Sequence, residues 1–132
     1  MWNDGSDKID EVFDNLVRIP QFPTRCPVCD KNEMHIYMQV HSYKNRRGGL
    51  WIWCSHCGIF SHSSLRVPEY WENCDCIEME KLCAVPEYLD RIKDALDRHA
   101  NAMIKKRILS QDKQGKGTED NGNQETLYTD LL

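Results

Sequence analysis

Apolar and polar residues alternate between residues 34 and 41, and this period of two predicts a β-strand. The face with aliphatic character carries Met34, Ile36, Met38 and Val40. Turn-forming residues follow at 44–49, and a second apolar run then leads from residue 50 to residue 53. The pattern therefore predicts a β-hairpin, to which residues 59–65 can add a third strand.

Two other segments repeat their apolar residues with a helical period. A short N-terminal helix is predicted from the spacing of Ile9, Val12, Phe13, Leu16 and Val17. A long amphipathic C-terminal helix is predicted from the stripe of Val85, Leu89, Ile92, Leu96, His99 and Met103. We expect this stripe to dock on the sheet, because a coiled-coil dimer needs a seam sustained over more heptads. A monomer is thus favoured over a homodimer.

Two Cys-x-x-Cys pairs flank the predicted hairpin, Cys26 with Cys29 and Cys54 with Cys57. A hairpin brings its two ends together, so the four sulfurs should meet. Zn²⁺ prefers four tetrahedral ligands, and four thiolates leave no open position for water or substrate. The sequence predicts one structural zinc ion, with Asp30 and Gly58 directly after the pairs as residues that tolerate the positive φ of such turns.

The 132 residues are enough for one small domain of the α+β class. Residues 1–23 should form the N-terminal helix and a connector, and residues 24–67 a zinc ribbon built as an antiparallel hairpin or a three-stranded sheet. Residues 68–109 form the helical C-terminal part, which begins with a helical turn at 68–72. Residues 110–132 are rich in Gly, Gln, Asn and charged residues without apolar periodicity, which predicts a disordered tail.

Three further cysteines, Cys74, Cys76 and Cys83, lie outside the two pairs. They could contribute to a second metal site, but Cys-x-Cys-x6-Cys lacks the knuckle turn and a definite fourth ligand. Buried thiols are the favoured interpretation, because free cysteine is among the most buried residue types.

Charge and composition restrict the location and the function. A net charge of −4 and a pI near 5.7 argue against a protein whose main task is to neutralise phosphates. Seven cysteines without a signal peptide predict a reducing, cytoplasmic location, and no stretch is apolar enough for a membrane span. The sequence also lacks the His-x-Glu of zinc deaminases, a Gly-rich phosphate loop and His-Glu-x-x-His, so we expect no enzyme.

A candidate binding surface combines aromatic and basic residues around the hairpin. Its members are Tyr37, His41, Tyr43, Lys44, Arg46, Arg47, Trp51 and Trp53. Such groups suit stacked bases and phosphates, and they equally suit a protein interface. The third alternative is that the flanking helices cover the sheet and the tryptophans serve as core.

Residues 24–65 resemble the zinc-ribbon group in their Cys-Pro-x-Cys and Cys-x-x-Cys-Gly knuckles. The wider segment 48–71 resembles small stand-alone bacterial zinc-ribbon proteins, some of which are of immunity type. This resemblance implies non-catalytic recognition of a protein partner, with immunity or antitoxin activity as the specific version. The alternative is a nucleic-acid-binding zinc ribbon that acts in transcription or repair.

Overall fold

The computed structural model describes residues 2–9 and 21–121, with side chains up to residue 109. Its described part combines one β-sheet with helices, so the predicted mixed α+β class is confirmed. The strands are β1 (Asn3–Asp4), β2 (Met34–Ser42), β3 (Arg47–Cys54) and β4 (Ile59–Arg66), in the spatial order β1-β4-β3-β2. A 3₁₀ helix (Met79–Lys81), helix α1 (Glu87–Arg91) and helix α2 (Lys93–Asn121) follow.

The predicted hairpin is formed by β2 and β3, which pair antiparallel from Met34 opposite Cys54 to Val40 opposite Gly48. Strand β4 continues the sheet on the other side of β3, also antiparallel. The turn occupies residues 43–46, so Gly48 and Gly49 lie in β3 and not in the turn where the sequence placed them. Strand β1 was not predicted; it pairs parallel with the first two residues of β4.

Both faces of β2 are buried from residue 34 to residue 40. On one face, Tyr37 and Trp71 make an edge-on aromatic contact with ring centroids 6.0 Å apart, and Trp71 donates to the carbonyl of Met38 at 2.7 Å. Helix α2 packs on the same strand, where His35 Nδ1 lies 2.8 Å from Asp97 Oδ1. Docking of the C-terminal helix on the sheet is therefore confirmed.

The C-terminal helix differs from its prediction at both ends. It is interrupted at Ile92, whose φ of −112° and ψ of 25° end α1 before α2 begins at Lys93. Val85, the first residue of the predicted stripe, precedes α1 and is exposed. Helix α2 continues to Asn121 and so enters the segment predicted as a tail, and residues 122–132 lie outside the described part.

The N-terminal helix is described only at residues 6–9, where Ile9 is buried. The rest of its predicted apolar face falls outside the described residues. Residues 68–72 form a turn, closed by the Trp71 N–H to the Pro68 carbonyl at 3.1 Å, and not the predicted helical turn. Among the helices described, none is long and apolar enough to cross a membrane.

We predict that β2 and the segment after β4 can pack this closely against β3 only because residue 48 is a glycine. A Cβ atom at Gly48 would collide with the backbone carbonyl of Gln39 and lie 2.9 Å from Val67 Cγ2. Gly48→Ala should therefore lower the free energy of unfolding by about 1–3 kcal/mol or more, measured by urea denaturation. Gly49→Ala is the control, because its Cβ would approach only the Trp51 ring, at 3.1 Å, and His62. An equal or larger loss at Gly49 would contradict this account.

Candidate metal centre

The first Cys pair lies on a tight turn just before β2. The Asp30 N–H donates to the Cys26 carbonyl at 2.9 Å, and the Val28 N–H points at Cys26 Sγ at 3.4 Å. Asp30 has a φ of 70°, as the sequence predicted for the residue after the pair. The turn is fixed to the sheet because Thr24 and Met34 exchange backbone hydrogen bonds of 2.9 and 3.0 Å.

The second pair repeats this local geometry at the end of β3. The Gly58 N–H donates to the Cys54 carbonyl at 3.0 Å, the Cys57 N–H lies 3.5 Å from Cys54 Sγ, and Gly58 has a φ of 81°. Strand β1 supports this turn, since the Asn3 N–H donates to the Gly58 carbonyl at 2.8 Å. The N-terminal strand thus stabilises the second Cys turn directly.

The four sulfurs converge as predicted. All lie within 4.8 Å of one another, with 3.8 Å between Cys26 and Cys57 and 3.6 Å between Cys29 and Cys54. A tetrahedron with metal–sulfur bonds of about 2.3 Å has edges of about 3.8 Å, so the spacing fits one metal ion. Cys26 and Cys54 are fully buried, whereas Cys29 and Cys57 are partly exposed.

Burial makes the charged thiolate form unfavourable for two of the four cysteines. Burial is the main cause that raises the pKa of Cys54 to about 12, and burial also raises the pKa of Cys57. Burial acts in the same direction on Cys29, but hydrogen bonds from the Lys31 N–H and the neighbouring thiols lower the pKa of Cys29 overall. Since a metal binds thiolates and displaces their protons, metal affinity should fall as the pH falls.

The helices contribute a contact to this centre that the sequence did not reveal. The Asp90 carboxylate on α1 accepts hydrogen bonds from the Ser55 hydroxyl, within the second Cys turn, and from Trp53 Nε1 at 3.1 Å. Asp90 is one of several acidic residues on a polar helix face, so no pattern in the sequence distinguishes it.

The three remaining cysteines do not join a metal centre in the described part of the chain. Cys74 and Cys76 lie together, whereas the Cys83 thiol points to the Val85 carbonyl at 3.3 Å. The favoured interpretation as buried thiols is wrong for Cys76 and Cys83, which are exposed, and Cys74 is half-buried. These thiols belong to an irregular segment that covers the sheet edge rather than to its core.

The predicted binding surface is divided between core and solvent. Tyr37, Trp51 and Trp53 are at most 3% exposed, because α1, α2 and residues 71–83 cover this face of the sheet. These three residues are therefore corrected from surface to core. Trp51 stacks on His62 with ring centroids 4.4 Å apart and covers Gly49, which lacks a side chain of its own.

Arg46 is also corrected, because it points inward from the turn. Its guanidinium donates to the carbonyls of Val67, Pro68 and Trp71, at 3.3, 2.5 and 2.6 Å. Arg46 has a φ of 62° and is only 8% exposed. It ties the segment after β4 to the hairpin turn and is not available to a partner.

The remaining members of the predicted surface form the tip of the hairpin, namely His41, Tyr43, Lys44 and Arg47. All four are exposed, and Tyr43 reaches 58%. We call this group the hairpin tip. Comparison of the chain with protein-family models, with curated proteins and with solved structures finds no match.

We predict that Cys54→Ser removes the metal and unfolds the sheet. Metal binding to four thiolates contributes about 10–16 kcal/mol, which is comparable to the whole stability of a small domain. Elemental analysis and a circular dichroism melt measure the two effects, with Cys83→Ser as the control because that thiol lies outside the cluster. A Cys54→Ser protein with wild-type metal content and melting curve would contradict the prediction.

We predict that Arg46→Ala is destabilising although arginine is usually a surface residue. The substitution leaves three carbonyls without their charged donor, which should cost about 2–4 kcal/mol in urea denaturation. Lys44→Ala and Arg47→Ala are matched controls at exposed positions of the same hairpin, and each should change stability by less than about 0.5 kcal/mol. Equal effects at all three positions would refute the structural role of Arg46.

Proposed function

We propose that this protein is a non-catalytic, zinc-stabilised module that recognises a protein partner. Cys26, Cys29, Cys54 and Cys57 would hold one Zn²⁺, and the closed set of four thiolates supplies a structural ion rather than a site for chemistry. Seven free thiols fit a reducing compartment, so the proposal retains a cytoplasmic location.

The observation that carries the partner proposal is an exposed loop of mixed apolar and acidic character, residues 75–87, which we call the acidic loop. Met79 is 51% and Val85 is 39% exposed. Around them the loop presents the exposed carboxylates of Asp75, Glu78, Glu80 and Glu87, with Lys81 as its one cation. Lys81 pairs with Glu78 at 3.1 Å and Arg91 pairs with Glu87 at 2.7 Å, which leaves the loop with a net negative charge. Apolar side chains beside net negative charge suit a protein interface of the opposite sign.

The acidic loop is held in place by the fold, which lowers the entropy lost on binding. Trp51 Nε1 donates to the Cys83 carbonyl at 2.8 Å, and the amide of Gln39 lies 3.0 Å from the Met79 sulfur. From α1, the Tyr88 hydroxyl accepts a hydrogen bond from the Glu78 N–H at 2.9 Å and donates one to the Cys76 carbonyl at 3.3 Å. The buried Trp51 and the half-buried Tyr88 thus support the proposed interface.

The resemblance to immunity-type zinc-ribbon proteins narrows this proposal. A toxin with a basic functional surface would complement the carboxylates of the acidic loop, and covering that surface would neutralise the toxin. Immunity or antitoxin activity is therefore the specific version that we propose, and a net charge of −4 is compatible with it.

A second candidate, binding of nucleic acid, is favoured by the hairpin tip. Tyr43 offers an exposed ring beside the exposed cations Lys44 and Arg47, a combination suited to a base and its phosphates. Arg46 cannot add to this group because its guanidinium is engaged by backbone carbonyls. Two cations on an acidic protein give few phosphate contacts, so we rank this candidate second.

The test is binding by the zinc-loaded full chain. Partners are captured from the source cell by cross-linking, identified by mass spectrometry and then purified, so that the dissociation constant is measured with two pure components. We predict that Met79→Ala combined with Glu78→Gln and Glu80→Gln weakens binding by about tenfold or more, because apolar anchors and complementary charge are lost together. Lys44→Ala with Arg47→Ala is the matched control at the hairpin tip and should leave the affinity within about twofold.

The opposite pattern would overturn the proposal. If the chain binds single-stranded DNA or RNA in a salt-sensitive way, and only the Lys44 and Arg47 substitutions abolish it, the protein is a nucleic-acid-binding module. A purified partner whose affinity is unaffected by the acidic-loop substitutions would remove that loop from the interface. Melting curves of all variants must match wild type for either comparison to count.

A further inference from the structure

Two thiols outside the metal centre lie unusually close together. Cys74 Sγ and Cys76 Sγ are 2.6 Å apart, although neither is in a disulfide. This separation exceeds an S–S bond of about 2.05 Å by only about half an ångström. No other described thiol adjoins the pair, because the Cys83 thiol faces the Val85 carbonyl and the other four cysteines form the metal cluster.

The backbone holds the two residues in this arrangement through two tyrosine hydroxyls. The Cys74 N–H donates to the buried Tyr37 hydroxyl at 3.0 Å, and the Cys76 carbonyl accepts from the Tyr88 hydroxyl at 3.3 Å. Asn73, the preceding residue, is bonded to both the N–H and the carbonyl of Val40, at 2.7 and 3.1 Å. The segment is thus anchored at both ends, with the two sulfurs side by side.

We propose that Cys74 and Cys76 form a reversible redox pair that closes to an intramolecular disulfide by exchange with a low-molecular-weight disulfide such as oxidised glutathione. The proposal does not depend on the proposed function. It assigns a modification site at the base of the acidic loop. Cys74 lies one residue before that loop begins, and Cys76 lies within it.

The exchange proceeds in two balanced steps. The exposed Cys76 thiol loses its proton, and its thiolate attacks one sulfur of the small disulfide, forming a mixed disulfide and releasing one small thiolate that takes up a proton. The Cys74 thiolate then attacks Cys76 Sγ, forming the intramolecular bond and releasing the second small thiolate. Two protein thiols are oxidised, and one small disulfide is reduced to two thiols.

The raised pKa of the Cys76 thiol restricts which oxidants can react with it. Partial desolvation is the main cause that raises the pKa of Cys76 to about 11, and the adjacent Cys74 acts in the same direction. Little thiolate is present at neutral pH, so the pair should react slowly and is unsuited to rapid peroxide sensing. A thiol of high pKa is also a poor leaving group, so the disulfide should persist once formed.

The experiment uses the zinc-loaded full chain equilibrated with glutathione buffers of increasing disulfide content. Samples are quenched with acid, alkylated, and analysed by intact mass and peptide mapping. We expect the loss of two hydrogens and of two alkylatable thiols, assigned to a bond between Cys74 and Cys76, while the zinc content stays constant. Because the thiolate fraction rises tenfold per pH unit below the pKa, the rate should rise about tenfold from pH 7 to pH 8.

Two variants make the assignment specific. Cys74→Ser should stop at the mixed disulfide on Cys76, with one small thiol attached, whereas Cys83→Ser should behave as wild type. The peptide map of the wild-type protein decides the matter even if Cys74→Ser is poorly folded. A bond from either residue to Cys83, oxidation of the metal-binding cysteines while Cys74 and Cys76 stay reduced, or no change in any buffer would each overturn the proposal.

Discussion

The convergence of four cysteine sulfurs is the constraint on which the rest of this structure depends. Four thiolates within 4.8 Å of one another would repel strongly, so the arrangement suits a cation bound between them. The two Cys turns also hold the ends of the hairpin in register, because Met34 lies directly opposite Cys54. Once that register is set, period-two alternation determines which side chains of β2 and β3 face each layer.

The aromatic residues of β2 and β3 are buried because other elements cover one face of the sheet. The sheet alone would leave Tyr37, Trp51 and Trp53 in water, and α1, α2 and an irregular segment bury all three. Each aromatic polar atom finds a partner in that cover, such as the Cys83 carbonyl for Trp51 and Asp90 for Trp53. Burial of these rings converts a candidate recognition surface into the support for the exposed loops around it.

The sequence predicted the parts that follow from strong local patterns. Alternation gave the hairpin and the third strand, and the spacing of the Cys pairs gave the four ligands, including the positive φ of Asp30 and Gly58. The sequence could not reveal β1, because Asn3 and Asp4 are residue types with low strand propensity. Nor could it reveal that the Arg46 side chain points inward, because that orientation depends on carbonyls more than 20 residues away. The alternation pattern identified two faces but not the elements that cover them.

The seven cysteines divide into two chemically different sets because their surroundings differ. The four clustered thiols lie on turns whose N–H groups point at sulfur, and their sulfurs are spaced so that they could share one cation. Cys74 is half-buried and Cys76 is exposed, and each has the sulfur of the other as a close neighbour. A metal ion bound to the first set would protect it from exchange, whereas Cys74 and Cys76 belong to no such cluster in the described part of the chain. Oxidation of the proposed pair would therefore alter the base of the acidic loop and leave the four clustered thiols unchanged.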